Sequence, residues 1–556
     1  MNKRSLVLYC IIALIIVTIY GPFVLQGGFG PSDDLALIYN SDAGFASLLS
    51  SFITSESEAS RPLSSVIYSI VFSIFRESPR PYIVLQLSIW FASIVVLSKI
   101  IKLMIGEISA VLFLFLGAMP IFSSAVIFSS YLISYTLSIL LWAISLILIL
   151  KYVISGSRSH YWLSYFFLTS GLFFIEIILP LLLMNILLPL IIEQNRKTKE
   201  TDMKKMIGLK YIYPIVFIMV IFFVFKVFIT NIYISPSENS NIYGLSLSAK
   251  SILQSIYYFF ALIIEIPIML IETIPFLINP SILITSILIS TFSCYLLFNK
   301  NIILTQRFST NDNKIARQFI NLSKFGIICC PIIFILSGYP AVTFGHYNKM
   351  MIPTQILVTI LISWYLGKIL NRSQIILPIV LLILWSSSMI IQIEGFIDSW
   401  EIRKSVLSDC SEKLNAADLG KNPYLIASVP FFTQNNYNNE HVFWLSWDFS
   451  SGLKLFGLDK LLSPFPFCWQ TLTNKDYYPL HNINRFLSEL PQDANIWFYE
   501  YEIKSRKSEF RRLINVDDLD RQLTVLESAK TNYHRIILRQ RVRMKIKTLA
   551  KKFGFV

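Results

Sequence analysis

Two adjacent carboxylates, Asp33 and Asp34, follow the first apolar segment of the chain. Neighbouring carboxylates repel each other and lose hydration at a membrane surface, so such a pair implies a compensating use. One use is helix capping, in which Ser32 or Asp33 caps a helix that begins at Leu35. The other use is chemical, because a carboxylate can take a proton from an acceptor hydroxyl or bind a divalent cation. The pattern leaves both uses open.

Arg61 and Glu176 are two further charged residues that could contact a substrate. Arg61 precedes Pro62, and a proline in the first turn predicts that a helix begins there. The planar guanidinium of Arg61 suits bidentate contact with a phosphate, either of a substrate or of a phospholipid head group. Glu176 lies in a long apolar stretch. An ionisable group in such a stretch is a functional candidate. The alternative is that Glu176 lies in a solvent-exposed turn between two membrane spans.

His346, Tyr347 and Lys349 precede a late apolar run. His346 and Lys349 are three residues apart and face the same side if a helix begins early. Tyrosine and lysine at a membrane interface are also ordinary anchors. Substrate binding and interfacial anchoring therefore both remain open for this segment.

The composition of the chain excludes a soluble globular protein. Of its 556 residues, 54% are hydrophobic and only 15% are charged, whereas about 25% are charged in soluble domains. Uncharged runs of about 20 residues, long enough to cross a bilayer, recur between Leu6 and Ile393. Much of the excess of 48 Lys and Arg over 34 Asp and Glu lies in loops and at the C-terminal end. Membrane orientation and anionic lipid explain this excess better than nucleic acid does.

The six cysteines are scattered and include no CxxC pair, so we expect neither structural zinc nor a disulfide framework. The positive-inside rule orients the remaining elements, with the N-terminus in the cytoplasm. We expect an all-α membrane part with eleven crossings. They lie near 5–26, 80–101, 106–123, 131–153, 161–175, 177–193, 209–229, 281–298, 325–338, 350–367 and 375–393.

The segment 250–278 is apolar but is interrupted by acidic residues and prolines. We expect it to be interfacial or re-entrant, because a full crossing would place the basic loop at 300–324 outside. With an odd number of crossings, the C-terminal part lies outside as well. Its short apolar runs between turn-forming residues predict a small α/β domain at 396–533.

The tail 534–556 alternates basic and apolar residues. This pattern predicts an amphipathic helix on the membrane surface, and a disordered polybasic end is the alternative. The expected organisation is therefore a membrane domain at 1–395, an outer domain at 396–533 and this tail.

The candidate residues all fall on the outer face under the topology drawn from charge. On these motifs the chain resembles the GT-C membrane glycosyltransferases, especially bacterial enzymes that use a polyprenyl-phosphate sugar, such as O-antigen serotype-converting glucosyltransferases. The resemblance covers roughly residues 1–395. The matching segments are Asp33-Asp34 for the acidic first loop, Ser60-Arg61-Pro62-Leu63 for a Gly-Arg-Pro-Leu-like segment, Phe174-Ile175-Glu176 for a Tyr-Glu position, and Tyr347-Asn348-Lys349 to Pro353 for an Arg-Tyr-x-x-Pro-like span entry.

The resemblance implies a GT-C fold and a single inverting displacement on the outer face of a bacterial inner membrane. The donor would be a polyprenyl-phosphate hexose, with glucose as the expected sugar, and the acceptor a lipid-linked glycan such as O-antigen. A divalent cation is an optional cofactor. The implied roles are the base for Asp33 or Asp34, phosphate-side cations for Arg61 and Lys349, and substrate contacts for Glu176, His346 and Tyr347.

Two other function classes remain open. A lipid-linked oligosaccharide flippase or transporter would also have many spans and buried charges. A polysaccharide polymerase or ligase is the closer alternative among enzymes. Against a transporter stand the absence of an internal sequence repeat, the charged residues gathered on one face and the appended outer domain.

Overall fold

The chain is predominantly helical. The computed structural model describes residues 3–30, 34–39, 44–54, 61–196, 203–233, 266–298, 310–332, 346–370, 376–420, 423–428, 446–458, 467–468, 495–502 and 505–513. Its α-helices are α1 Lys3–Gln26, α2 Asp34–Tyr39, α3 Gly44–Thr54, α4 Pro62–Phe75, α5 Pro79–Met104, α6 Glu107–Ala118, α7 Ala125–Phe128, α8 Ile133–Ser155, α9 Arg158–Phe174, α10 Leu182–Arg196, α11 Met203–Tyr233, α12 266–272, α13 Pro280–Phe298, α14 Thr310–Cys329, α15 Ile352–Leu370, α16 Ile376–Ala416 and α17 Ser446–Leu455.

Within the described residues, six helical segments are long and apolar enough to cross a membrane. They are Pro79–Met104, Ile133–Ser155, Glu176–Asn195, Leu209–Lys226, Lys349–Leu370 and Ile376–Ala416. The pair Ile266–Ile278 and Pro280–Thr291, bent by 119°, would make a seventh if it is one broken span. The expected multi-pass membrane protein is thus supported, with six or seven candidate spans in the described part of the chain, whereas eleven crossings were expected of the whole chain.

Two expected elements differ in the structure. The crossing expected at 106–123 ends at Ala118, and the resulting twelve-residue helix α6 is about 18 Å long, too short to cross alone. The basic loop expected at 300–324 is helical from Thr310 onward. Its charges alternate with a buried stripe, Ala316, Phe319, Ile320 and Ser323, whose i, i+3, i+4, i+7 spacing is that of an amphipathic helix.

The chain divides into two compact units. Unit 1 contains Met1–Gln26 and Ala43–Ile393, and unit 2 contains Gly27–Asp42 and Glu394–Val556. Helix α16 contributes its first part to unit 1 and the remainder to unit 2. The acidic first loop therefore groups with the C-terminal part of the chain.

An irregular segment, Met119–Leu132, interrupts the helices inside unit 1, and nearly all of it is buried. Its carbonyl groups need partners because hydrocarbon offers none. Side chains from distant helices supply them. The Gln392 amide donates to Ile121 O at 2.7 Å, Trp385 Nε1 donates to Met119 O at 2.9 Å, and Gln86 donates to Val126 O.

Unit 2 contains a four-stranded sheet in the order β2-β1-β3-β4, so the C-terminal part has both strands and helices, as expected from its sequence. Strand β1 (Pro423–Ser428) is parallel to β2 (Phe467–Cys468) and to β3 (Asn495–Glu502), and β3 is antiparallel to β4 (Lys507–Leu513). The end of α16 packs on this sheet, where the Tyr499 hydroxyl donates to Asp409 Oδ2 at 2.9 Å. Burial raises the pKa of Tyr499, so its hydroxyl remains a donor. The expected tail at 534–556 lies outside the described residues.

We predict that Gln392→Leu lowers the free energy of unfolding by about 1–3 kcal/mol, because it leaves the buried carbonyl of Ile121 without this donor. The measurement is thermal or denaturant unfolding of the protein in nanodiscs. Gln194→Leu is the matched control, since Gln194 is exposed on α10. Equal effects of the two substitutions would contradict the role of Gln392.

Candidate functional site

Arg61, Glu176 and Lys226 form an ion-pair cluster in unit 1. Arg61 Nη2 lies 2.8 Å from Glu176 Oε1, and Arg61 Nε donates to Glu176 Oε2 at 3.3 Å, which makes the contact bidentate. Lys226 Nζ lies 3.4 Å from Glu176 Oε2. The three side chains are only 13%, 22% and 21% exposed, respectively. Two cations thus share one carboxylate, and the trio carries one net positive charge.

Local sequence explains the positions of Arg61 and Glu176 in this cluster. Arg61 precedes α4 with non-helical backbone angles, φ −133° and ψ 65°, and Pro62 fixes the first turn of that helix. Helix α9 ends at Phe174, and a 3₁₀ helix, Glu176–Leu181, follows. Pro180 within it has no N–H to continue a regular α-helical ladder. The Ser64 hydroxyl donates to Phe174 O at 2.5 Å and so ties the start of α4 to the end of α9.

Lys349 is a third cation in unit 1 and is 4% exposed. Its ammonium lies 5.5 Å from the ring centroid of Tyr135, at the start of α8. The neighbouring Ser134 hydroxyl is hydrogen-bonded to the Tyr68 hydroxyl of α4 at 2.5 Å. Tyr68 follows Arg61 by about 10 Å along the helix axis. Contacts of α4 thus link the surroundings of Lys349 to the ion-pair cluster.

His346 and Tyr347 begin a 3₁₀ helix, His346–Met351, that also contains Lys349. Positions three apart lie on one side of such a helix, so positions 346 and 349 share a side, as expected from the sequence. The side chains of His346 and Tyr347 lie outside the described part of the structure.

Asp33 also lies outside the described residues, whereas Asp34 begins α2 in unit 2. The Asp34 side chain is fully buried, and its Oδ2 accepts a hydrogen bond from the backbone N–H of Gly30 at 2.6 Å. Asp34 thus has a structural contact with the loop before its helix, whereas Ser32 and Asp33, the caps expected from the sequence, lie outside the described residues.

Sequence reasoning missed Lys226 and Arg403. A signal for Lys226 was present, because it is the single charged residue in the run from Tyr211 to Thr230. Arg403 is fully buried in unit 2. It lies between Glu401 and Lys404, in a charged stretch that reads as an exposed helix face, so its pattern gave no such signal.

The described residues contain no group of three or more His, Cys, Asp or Glu side chains placed to hold a metal ion. Comparison of the chain with protein-family models, curated proteins and solved structures finds no match.

We predict that Glu176→Gln destabilises the protein by roughly 2–3 kcal/mol more than the control Glu107→Gln. The substitution at 176 leaves two largely dehydrated cations without their shared carboxylate. Glu107 pairs with Lys102, which is 52% exposed, and such surface pairs contribute about 0–1 kcal/mol.

The measurement for this prediction is a double-mutant cycle of unfolding free energies with Arg61→Met and Glu176→Gln. A cluster that acts as a unit gives a double mutant less destabilised than the sum of the two single mutants. Simple additivity would show that the bidentate contact contributes nothing.

Proposed function

We propose that this chain is a multi-pass membrane glycosyltransferase that uses a polyprenyl-phosphate hexose, with glucose as the first candidate. The acceptor would be a lipid-linked cell-surface glycan such as O-antigen, and the anomeric configuration would invert. The observation that carries the proposal is the convergence of Arg61 and Lys226 on Glu176 in an apolar unit.

The donor chemistry fits these cations. The leaving group of such a donor is a lipid phosphate, which lies at the membrane surface and develops negative charge as the glycosidic bond breaks. A guanidinium contacts two phosphate oxygens at once, and an ammonium adds a point charge. Cations already in place stabilise this charge without reorganisation. In the proposed complex the phosphate binds beside Glu176, attracted by the excess positive charge of the trio, and Lys349 is the third phosphate-side cation.

The acceptor hydroxyl needs a base. Its oxygen forms the new bond to the anomeric carbon, the bond to the phosphate oxygen breaks, and the hydroxyl proton goes to a carboxylate. The resemblance assigns this role to the acid pair. We assign it to Asp33, because the Asp34 carboxylate is fully buried and bound to the Gly30 N–H. His346 and Tyr347 remain proposed substrate contacts.

The proposal includes an orientation in a bacterial inner membrane. The N-terminus lies in the cytoplasm, and the C-terminal α/β domain lies on the periplasmic side. The distribution of basic residues supports this orientation. It also gives the proposed site access to a donor presented on the outer face.

A lipid-linked oligosaccharide transporter is the second candidate. The bent helix pair Ile266–Ile278 and Pro280–Thr291 favours it, because discontinuous helices line the substrate sites of many transporters. The two functions differ in one chemical outcome. A transferase makes a new glycosidic bond, whereas a transporter moves its lipid substrate intact.

We predict that the purified protein in nanodiscs transfers radiolabelled hexose from polyprenyl-phosphate hexose to a lipid-linked glycan. Asp33→Asn should lower the rate by ~10²–10⁴-fold, as expected for loss of a general base. It should leave the unfolding temperature unchanged. Glu77→Gln removes an exposed acid and is the matched control.

An assay of lipid movement and of glycan formation in proteoliposomes distinguishes the two candidate functions. Movement of intact labelled lipid across the bilayer, with no labelled glycan formed, would replace the transferase by the transporter. Full activity of Asp33→Asn would remove the assignment of the base.

A further inference from the structure

A buried arginine holds the loop that leads to the acid pair. Arg403, in the part of α16 that belongs to unit 2, is fully buried. Its Nη1 donates to Phe29 O at 2.8 Å and to Gly30 O at 2.7 Å. A guanidinium that gives hydrogen bonds to two successive carbonyls restrains the peptide between them. Arg403 therefore fixes the backbone of a segment more than 370 residues earlier in the sequence.

Gly30 is held from its other side by Asp34. The Gly30 N–H donates to Asp34 Oδ2 at 2.6 Å, while Gly30 O accepts from Arg403. Both charged side chains are fully buried. A buried carboxylate and a buried guanidinium that bind the same residue compensate each other's loss of hydration. Removal of either one leaves the other as a buried charge without compensation.

Close packing restrains the same loop. The ring of Trp400, one turn before Arg403, lies edge-on to Phe29 with centroids 5.7 Å apart. A Cβ atom at Gly28 would lie 2.1 Å from atoms of the Trp400 ring, so only glycine allows this approach of the backbone. The glycine at position 28 thus has a structural reason that the sequence alone did not give.

We propose that Arg403 and Asp34 are positioning residues that fix the backbone on both sides of Asp33. Neither touches the substrate in this scheme. Their contacts hold Gly30 and the start of α2, and these flank the residue to which the proposed function gives proton transfer. The catalytic consequence rests on that proposed function, whereas the restraint on the loop does not.

The restraint is tested by hydrogen exchange of the peptide covering residues 27–34, measured in nanodiscs by mass spectrometry. Arg403→Gln should raise exchange of the loop amides ~10–100-fold, as expected for loss of charge-assisted hydrogen bonds. Arg403→Lys keeps a cationic donor and should restore part of the protection. Glu412→Gln is the control, because Glu412 is exposed on the same helix. Unchanged exchange in both Arg403 variants would overturn the proposal.

The catalytic consequence is tested by kinetics. Arg403→Gln should lower kcat ~10–100-fold with an unchanged KM for the donor, and Arg403→Lys should recover part of kcat. Asp34→Asn keeps an oxygen acceptor for the Gly30 N–H and should retain far more activity than Asp34→Leu. If Asp34 were instead the base, both variants would lose ~10²–10⁴-fold, which would overturn its positioning role.

The outcomes distinguish the restraint on the loop from its catalytic consequence. Raised exchange in Arg403→Gln, in a protein whose wild type transfers no sugar, would reject the proposed function and leave the restraint on the loop. Raised exchange with an unchanged kcat would reject the positioning role in catalysis. If Arg403→Gln does not fold, Arg403→Lys and the two Asp34 variants give the same distinctions.

Discussion

A carboxylate among apolar side chains is stable only beside positive charge, and Glu176 obtains that charge from residues 115 and 50 positions away in sequence. Arg61 comes from the start of α4, and Lys226 comes from α11. The shared carboxylate therefore ties two helices to the break between α9 and α10. Because the two cations outnumber the carboxylate, the cluster keeps an excess positive charge, which is the charge that the proposed lipid-phosphate donor would need.

Backbone carbonyl groups in hydrocarbon also need partners from within the protein. The irregular segment Met119–Leu132 is tolerated because Gln86, Trp385 and Gln392 donate to its carbonyls. These donors come from α5 and α16, so one broken segment connects helices that are distant in sequence.

Local signals in the sequence were sufficient for part of this structure. Pro62 fixed the start of α4, and the isolated charge of Glu176 marked a break between helices. Helix α14 was missed because Lys314, Arg317 and Lys324 lower its mean hydropathy while its buried stripe remains. The role of Arg403 could not be predicted, because its partners Phe29 and Gly30 are near only in the folded chain. The mixed sheet was expected only as strands, since pairing order depends on long-range contacts.

The most direct measurement of the central claim compares the binding of polyprenyl phosphate and of the uncharged polyprenol to the protein in nanodiscs. The account predicts that wild type binds the phosphate at least ~10-fold more tightly, and that Lys226→Met loses most of this preference while Lys102→Met keeps it. Equal affinity of wild type for the phosphate and the alcohol would contradict a phosphate site at Arg61, Glu176 and Lys226.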